Sequence, residues 1–213
     1  MGQEINLMSN YPKSIRDTNQ RLDEKTDEDR IIARHFGKDF FDGDRKTGYG
    51  GYTYNSKYWE NVIPVFQKQY NLTKNSKILD IGCAKGFMLY DFSRIIPGIE
   101  VNGIDISEYA INNAKTEVKD KLQVANEDNS FDLVISITTL HNLNEEDLKQ
   151  ALKEINRVTK ENSFITLDAY RNKKEKVEME AWNLTALTMK HTDDWKILFD
   201  EVGYVGDYYW FMP

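Results

Sequence analysis

The chain has 213 residues, 40% of them hydrophobic, which is enough for one globular domain with a sizeable core. Its formal net charge is −7 and it has no basic block, so nucleic acid is not an expected partner. One cysteine excludes an internal disulfide, three scattered histidines lack the spacing of metal ligands, and no apolar stretch is long enough to cross a bilayer. We therefore expect a cytoplasmic protein without a metal or a membrane partner.

The N-terminal third is expected to form an arm, a helix and a loop. Residues 1–23 are polar and have no clear period, so two interpretations stay open: a mobile arm, or a lid that becomes ordered over a ligand. Thr26 is followed by three acidic residues and later by Gly37, a pattern that predicts a short capped helix with a glycine stop.

Residues 48–52 form a segment that we name the tyrosine loop. Three glycines in four positions disfavour helix and strand, so the segment predicts a pliant loop that presents the rings of Tyr49 and Tyr52. Two interpretations stay open here as well, a lid over a ligand or a surface turn.

A short apolar strand, residues 77–81, leads into a turn with two glycines four positions apart. Asp80 lies near the end of the strand, Gly82 and Gly86 bound the turn, and Phe87 begins an apolar stripe at helical spacing. Such a turn brings free backbone N–H groups and the positive end of a helix dipole close to a ligand. This glycine turn (residues 82–86) is therefore expected to bind a cofactor.

Further apolar blocks predict strands on either side. Residues 101–104 lead to Asp105, residues 130–136 end at Ser136, and residues 163–167 are followed by Tyr170 and Arg171. Ligands of open α/β sheets bind outside the carboxyl ends of the strands, so we expect these residues near one site.

The glycine turn departs from the dinucleotide fingerprint, because its spacing is Gly-x-x-x-Gly and Ala84 takes the middle glycine position. The stretch from Asp80 to Gly86 instead resembles motif I of the class I S-adenosylmethionine (SAM)-dependent methyltransferases. The block that ends at Asp105 resembles their motif II, and residues 130–136 match their fourth strand. The resemblance covers residues 75–168, and the chain looks like the small stand-alone bacterial type (methyltransferase type 11-like).

This resemblance implies an α/β fold with a Rossmann-like, doubly wound, mostly parallel sheet. Residues 1–74 would be an N-terminal helical and loop cap, and residues 75–213 the SAM-binding core of one structural domain. The C-terminal strand region is shortened: residues 204–213 leave room for one long strand or a very short pair, where the family has a hairpin.

The resemblance also implies that SAM binds at the glycine turn and leaves as S-adenosylhomocysteine (SAH), with Asp105 holding the ribose hydroxyls. The expected cofactor residues are Tyr49, Asp80, Gly82, Cys83, Ala84, Gly86, Asp105, Ile106, Glu127, Asp128 and Ser136.

The segment for the adenine is unusually short. Only 26 positions separate Asp105 from Phe131, fewer than the family usually has. Two explanations stay open: a true shortening, or a loop absent from this sequence. Residues 122–125 are the candidate third strand, with Asn126, Glu127 or Asp128 at the adenine.

On the acceptor side, His141 follows the strand of residues 130–136. We expect it at the rim facing the acceptor, where it would act as the general base for an alcohol. Tyr52, Tyr170, Arg171 and His191 are expected to bind the acceptor, and an anionic acceptor such as a phosphate or carboxylate would need little base.

The predicted function is methyl transfer from SAM to a small-molecule acceptor. The bacterial type suggests O-methylation of a sugar, sugar phosphate or related intermediate of surface polysaccharide biosynthesis. The alternatives are an N-methyltransferase, a nucleotide- or NAD-binding enzyme, and a non-catalytic SAM-binding protein on the same fold.

Overall fold

The computed structural model describes residues 2–12, 25–123 and 127–212. Within them, parallel strands form one six-stranded sheet: β1 (Lys77–Ile81), β2 (Glu100–Ile104), β3 (Phe131–Ile137), β4 (Thr159–Tyr170), β5 (Lys190–His191) and β6 (Asp207–Phe211). β1 lies between β2 and β3, and β3 pairs with β4. The other edge of β4 carries β6 against residues 164–168 and β5 against residues 169–170. The predicted α/β fold with a mostly parallel sheet is confirmed.

Helices flank this sheet, and their ends follow local capping signals. In the described residues they are α1 (Asp27–Arg34), α2 (Lys38–Asp42), α3 (Ile63–Gln69), α4 (Phe87–Ile95), α5 (Glu108–Asn112), α6 (Glu145–Val158), α7 (Lys173–Trp182) and α8 (Thr192–Val202). The Thr26 cap of α1 is present as a full capping box with Asp29. Asn144 caps α6, whose apolar stripe is buried at Leu148, Leu152, Ile155 and Val158.

Two hydrophobic clusters pack against the two faces of the sheet. Ile78 belongs to one and Leu79 to the other, because successive side chains of a strand point to opposite faces. Phe92 of α4 lies in the first cluster and Trp195 of α8 in the second, and both side chains are fully buried. The first cluster thus packs α4, which follows the glycine turn, against the sheet.

The described part of the N-terminal arm packs along β6. Glu4 forms a parallel bridge with Tyr208, the Ile5 N–H donates to the Tyr208 carbonyl at 2.9 Å, and the Leu7 side chain is buried. Residues 3–5 therefore pair with the outer edge of β6, and the mobile-arm and lid interpretations of residues 1–23 stay predictions. Residues 13–24 lie outside the described part.

The sequence predicted a reduced strand region at two places, the third strand and the C-terminus. In the described residues before the gap at 124–126, a single bridge between Gly103 and Leu122 stands where a third strand was expected. For the C-terminal residues 204–213 the sequence left two alternatives, one long strand or a very short pair. The described residues contain one strand there, β6, which runs parallel to β4.

Because the strands are parallel, the segments after β1, β2, β3 and β4 converge on one edge of the sheet. This carboxyl edge carries the glycine turn, Asp105, Thr139 and Arg171. No helix in the described residues is long and apolar enough to span a membrane.

Candidate active site

The glycine turn connects β1 to α4 through left-handed backbone. Gly82 has φ +83°, Ala84 +49° and Gly86 +73°, a region that favours glycine. A Cβ atom on Gly82 would lie 2.2 Å from the Thr139 hydroxyl oxygen, and one on Gly86 would lie 2.8 Å from a Val118 methyl. The left-handed backbone and the close packing of neighbouring side chains therefore already require glycine at these two positions. The close approach of a ligand would be an additional reason.

Asp105 lies directly after β2 and is joined to the glycine turn. One carboxylate oxygen accepts the Ala84 N–H at 2.7 Å and the other accepts the Ser107 N–H at 2.8 Å. Burial raises the pKa of Asp105, although these N–H donors lower it. Each oxygen keeps a second lone pair, so the carboxylate can still accept hydrogen bonds from a pair of hydroxyls.

Gln123 supports Asp105 from the place where a third strand was expected, a contact that the sequence analysis did not predict. Its amide oxygen accepts the Asp105 N–H at 3.1 Å and its amide nitrogen donates to the Asp105 carbonyl at 2.7 Å. The side chain thus makes the two hydrogen bonds that a neighbouring strand would otherwise offer to Asp105.

Asp80 and Cys83 are buried beside this carboxylate. Burial, and next the negative charge of Asp105, raise the pKa of Asp80 well above its ordinary value. Burial also raises the pKa of the Cys83 thiol, so Cys83 stays a neutral thiol and is unsuited to nucleophilic chemistry. A positively charged ligand at this place would stabilise the ionised forms of both carboxyl groups.

The tyrosine loop lies over the glycine turn. The Tyr52 ring stacks on Phe87, the first residue of α4, at 5.0 Å between centroids, and the Tyr49 ring lies 4.6 Å from Tyr52. Burial raises the pKa of the Tyr52 hydroxyl well above its ordinary value, with smaller contributions from Asp80 and Asp105. The rings therefore shield this part of the carboxyl edge from water.

A cluster that the sequence analysis missed connects this loop to the turn; we name Asp42, Tyr52, Lys85 and Tyr109 the Asp42 cluster. Lys85 lies inside the glycine turn, is buried, and donates to both oxygens of Asp42 at 2.9 and 2.6 Å. In the sequence, the only signal for this cluster was a lysine inside an otherwise apolar turn. Its partner lies 43 positions away, and no sequence pattern relates the two residues.

Two predicted adenine residues lie at the wrong edge of the sheet, a correction to the sequence analysis. Glu127 and Asp128 precede β3, so they stand at its amino end, whereas the ligand edge is the carboxyl end. Asp128 forms an ion pair with Arg157 at the end of α6. Asn126 lies outside the described residues.

Ile106 and Ser136 differ in their access to a ligand. Ile106 follows Asp105 and is 82% exposed, so it offers an apolar surface beside the carboxylate. Ser136 is fully buried in β3 and donates to the Ile81 carbonyl at 3.0 Å. Its expected cofactor contact is therefore corrected to a link between neighbouring strands.

His141 does not face the carboxyl edge as expected. It is only 3% exposed, its Nδ1 accepts the Asp168 N–H at 3.1 Å, and its Nε2 lies 3.5 Å from an Asp168 carboxylate oxygen. Burial lowers the pKa of His141, although the negative charge of Asp168 raises it. The Leu187 N–H donates to its carbonyl, so the segment after α7 packs on His141. The predicted placement at the rim is wrong.

Of the other expected acceptor residues, Tyr52 belongs to the tyrosine loop, whereas Tyr170, Arg171 and His191 form one group at the end of β4. The Tyr170 and His191 rings contact edge to face at 5.8 Å, and His191 Nε2 lies 2.9 Å from the Arg171 carbonyl. His191 Nδ1 accepts the Asp193 N–H at the start of α8, so both ring nitrogens are used. The Arg171 guanidinium is half exposed and lies 3.4 Å from Glu4. It is the cation of this group that a ligand can reach.

In the ranges that the structure describes, no group of His, Cys, Asp and Glu side chains could hold a metal ion. The site therefore presents backbone N–H groups, two carboxyl groups, aromatic rings and one exposed guanidinium at one edge of a parallel sheet.

Comparison with known proteins agrees with this geometry. Residues 79–167 match a family described as a methyltransferase domain. A malonyl-[acyl-carrier protein] O-methyltransferase from Bacillus anthracis is 26% identical over 106 residues, which are 45% of this chain and 38% of that relative. The matched region thus spans well under two thirds of the relative.

Solved structures share the fold. The YcgJ protein from Bacillus subtilis is 18% identical with a TM-score of 0.51 over 66% of each chain. The [4+2]-cyclase SpnF is 17% identical with a TM-score of 0.53 over 67% of this chain and 57% of that chain. At these identities the likeness shows the fold alone. Together with the domain match, the resemblance to class I SAM-dependent methyltransferases is confirmed.

Proposed function

We propose that this chain, whose residues 79–167 match the methyltransferase-domain family, transfers a methyl group from SAM to an anionic oxygen of a small molecule. The observation that carries the SAM assignment is the link between the glycine turn and Asp105, made by the hydrogen bond from the Ala84 N–H. It brings a helix N-terminus and a carboxylate to one place at the carboxyl edge.

The residues present fit SAM. The left-handed turn and the N-terminus of α4 would hold its amino-acid part, Asp105 its ribose hydroxyls, and the exposed Ile106 side chain its adenine. Burial raises the pKa values of Asp80 and Asp105, so a nearby positive charge would stabilise the ionised form of each carboxyl group.

SAM supplies a methyl group already activated by its sulfonium, so the protein mainly aligns the reactants and excludes water. Tyr49 and Tyr52 would exclude water from above the turn. Arg171 would orient an anionic acceptor with its exposed guanidinium.

The burial of His141 favours an anionic acceptor over a protonated one. An alcohol or ammonium acceptor needs a base at the rim, and the residue expected to supply it is enclosed against Asp168. A carboxylate or phosphate oxygen arrives deprotonated and needs none. The O-methyltransferase name of the Bacillus anthracis relative agrees with transfer to oxygen. A sugar hydroxyl, expected from the resemblance, is disfavoured on this ground, whereas a sugar phosphate stays compatible.

The [4+2]-cyclase SpnF has the same fold, so the fold alone does not establish methyl transfer. Methyl transfer therefore needs a test of its own. Titration calorimetry with SAH and with NAD tests the cofactor, and we expect binding of SAH alone. Methyl-labelled SAM with panels of carboxylates, phosphates, alcohols and amines tests the acceptor. Labelling of carboxylates or phosphates is expected. Labelling confined to alcohols or amines would contradict the anionic class, and NAD binding without SAH binding would contradict the function.

A further inference from the structure

We infer that Asp42 is a positioning residue for SAM, which neutralises Lys85 inside the glycine turn and holds the tyrosine loop over it. This inference rests on the proposed function. Asp42 ends α2, far from the three sequence blocks that resemble the methyltransferase motifs.

The Asp42 carboxylate is fully engaged by donors from three separate segments. One oxygen accepts from Lys85 Nζ at 2.9 Å and from the Tyr52 N–H at 3.0 Å. The other accepts from Lys85 Nζ at 2.6 Å and from the Tyr109 hydroxyl at 2.7 Å. Partial burial raises the pKa of Asp42, but these donors lower it to about 2. The carboxylate is therefore charged at every pH at which the protein would be assayed.

Charge balance gives this cluster a role in cofactor binding. The Lys85 side chain is only 8% exposed, and an ammonium at such a place is costly unless a counter-charge accompanies it. SAM carries one positive charge more than SAH because its sulfur is a sulfonium. An uncompensated Lys85 in the glycine turn would repel SAM more than SAH, and Asp42 cancels that repulsion.

The same carboxylate fixes the loop. The Tyr52 N–H donates to Asp42, and Lys85 Nζ also donates to the Tyr52 carbonyl at 3.0 Å. These bonds hold the Tyr52 ring against Phe87. Binding at the turn and the position of the loop thus depend on one ion pair.

Two variants with opposite charge effects test the inference by calorimetric titration with SAM and with SAH. Asp42→Asn removes one negative charge and leaves Lys85 uncompensated. It should lower the affinity for SAM relative to SAH by about 3–10-fold. Lys85→Met removes one positive charge and should shift the ratio of affinities the other way by a similar factor. The double variant should return the ratio to the wild-type value. A general weakening of the fold would affect both ligands alike and could not reverse sign.

Glu100→Gln is the matched control, since Glu100 pairs with Lys77 at 3.0 Å at the amino edge of the sheet. It should leave the ratio unchanged. Trypsin cleavage after Arg45 and Lys46, which precede the tyrosine loop, should become about tenfold faster in Asp42→Asn and not in the control.

The outcomes separate the two proposals. If the wild-type chain binds neither SAM nor SAH, the proposed function is overturned, and this inference with it. If the wild type binds both and the ratio is the same in Asp42→Asn and Lys85→Met, the charge role of Asp42 is overturned alone. Unchanged trypsin cleavage in Asp42→Asn would overturn its role in holding the loop.

Discussion

Replacement of His141 by alanine should damage the fold, with SAH binding nearly intact. The imidazole is enclosed, and its Nδ1 accepts the buried Asp168 N–H. Leaving that donor unsatisfied costs about 1–3 kcal/mol. The cavity left by the ring adds on the order of 2 kcal/mol. We therefore expect His141→Ala to lose about 3–5 kcal/mol of unfolding free energy, a large part of the stability of a single domain.

Urea unfolding followed by circular dichroism measures this loss, and titration with SAH on the folded fraction measures the site. His35→Ala is the control, because His35 is exposed on the surface and its loss should cost less than about 0.5 kcal/mol. A His141→Ala protein of wild-type stability whose turnover falls by about 10²–10⁴-fold would refute the structural role and restore the general base.

The pH dependence of stability gives a second test of the same residue. Burial lowers the pKa of His141 from its ordinary value of 6.5, so below that pH the unfolded chain binds a proton that the folded chain does not. The unfolding free energy should therefore fall as the pH drops from about 6.5. His141→Gln should flatten this slope, and an unchanged slope would contradict the burial of the ring.

The other predictions concern the cofactor site. Since Asp80 and Asp105 have raised pKa values, binding of the positively charged SAM should release protons and strengthen as the pH rises above the ordinary carboxyl range. Asp105→Asn should reduce the proton release seen in calorimetry. Gln123→Ala should weaken SAH binding about 3–10-fold at unchanged melting temperature, and it should add nothing in an Asp105→Ala background. Gly82→Ala should lower the melting temperature, and Thr139→Ala should partly rescue it, because the new methyl would overlap the Thr139 side chain.

The sequence predicted those parts of the site that depend on local chain geometry. A buried strand, a glycine turn and a helix leave a short apolar run, two glycines and a period near 3.6 in consecutive residues. The turn at Gly82 and Gly86 and the carboxylate at Asp105 could therefore be located before any tertiary contact was known. The parallel sheet was implied by the resemblance of these blocks, in their order, to the methyltransferase motifs.

The errors arose from contacts between distant segments. His141 follows a strand as expected, but burial was decided by the segment at Leu187, 46 positions later. The pair of Asp42 and Lys85 joins segments that no periodic pattern relates. Asp128 is a different case: a residue before a parallel strand belongs to the amino edge, and topology alone could have excluded it from the ligand side.

Titration calorimetry of SAH with the wild type and with Asp105→Ala tests the central claim, that the cofactor binds at the glycine turn with its ribose on Asp105. The wild-type chain should bind one equivalent, and the variant should lose about 2–4 kcal/mol of binding free energy, which is at least about 30-fold in affinity. The melting temperature of each variant shows whether it is folded. Equal SAH affinity in a folded Asp105→Ala protein, or no SAH binding by the wild type, would contradict the account.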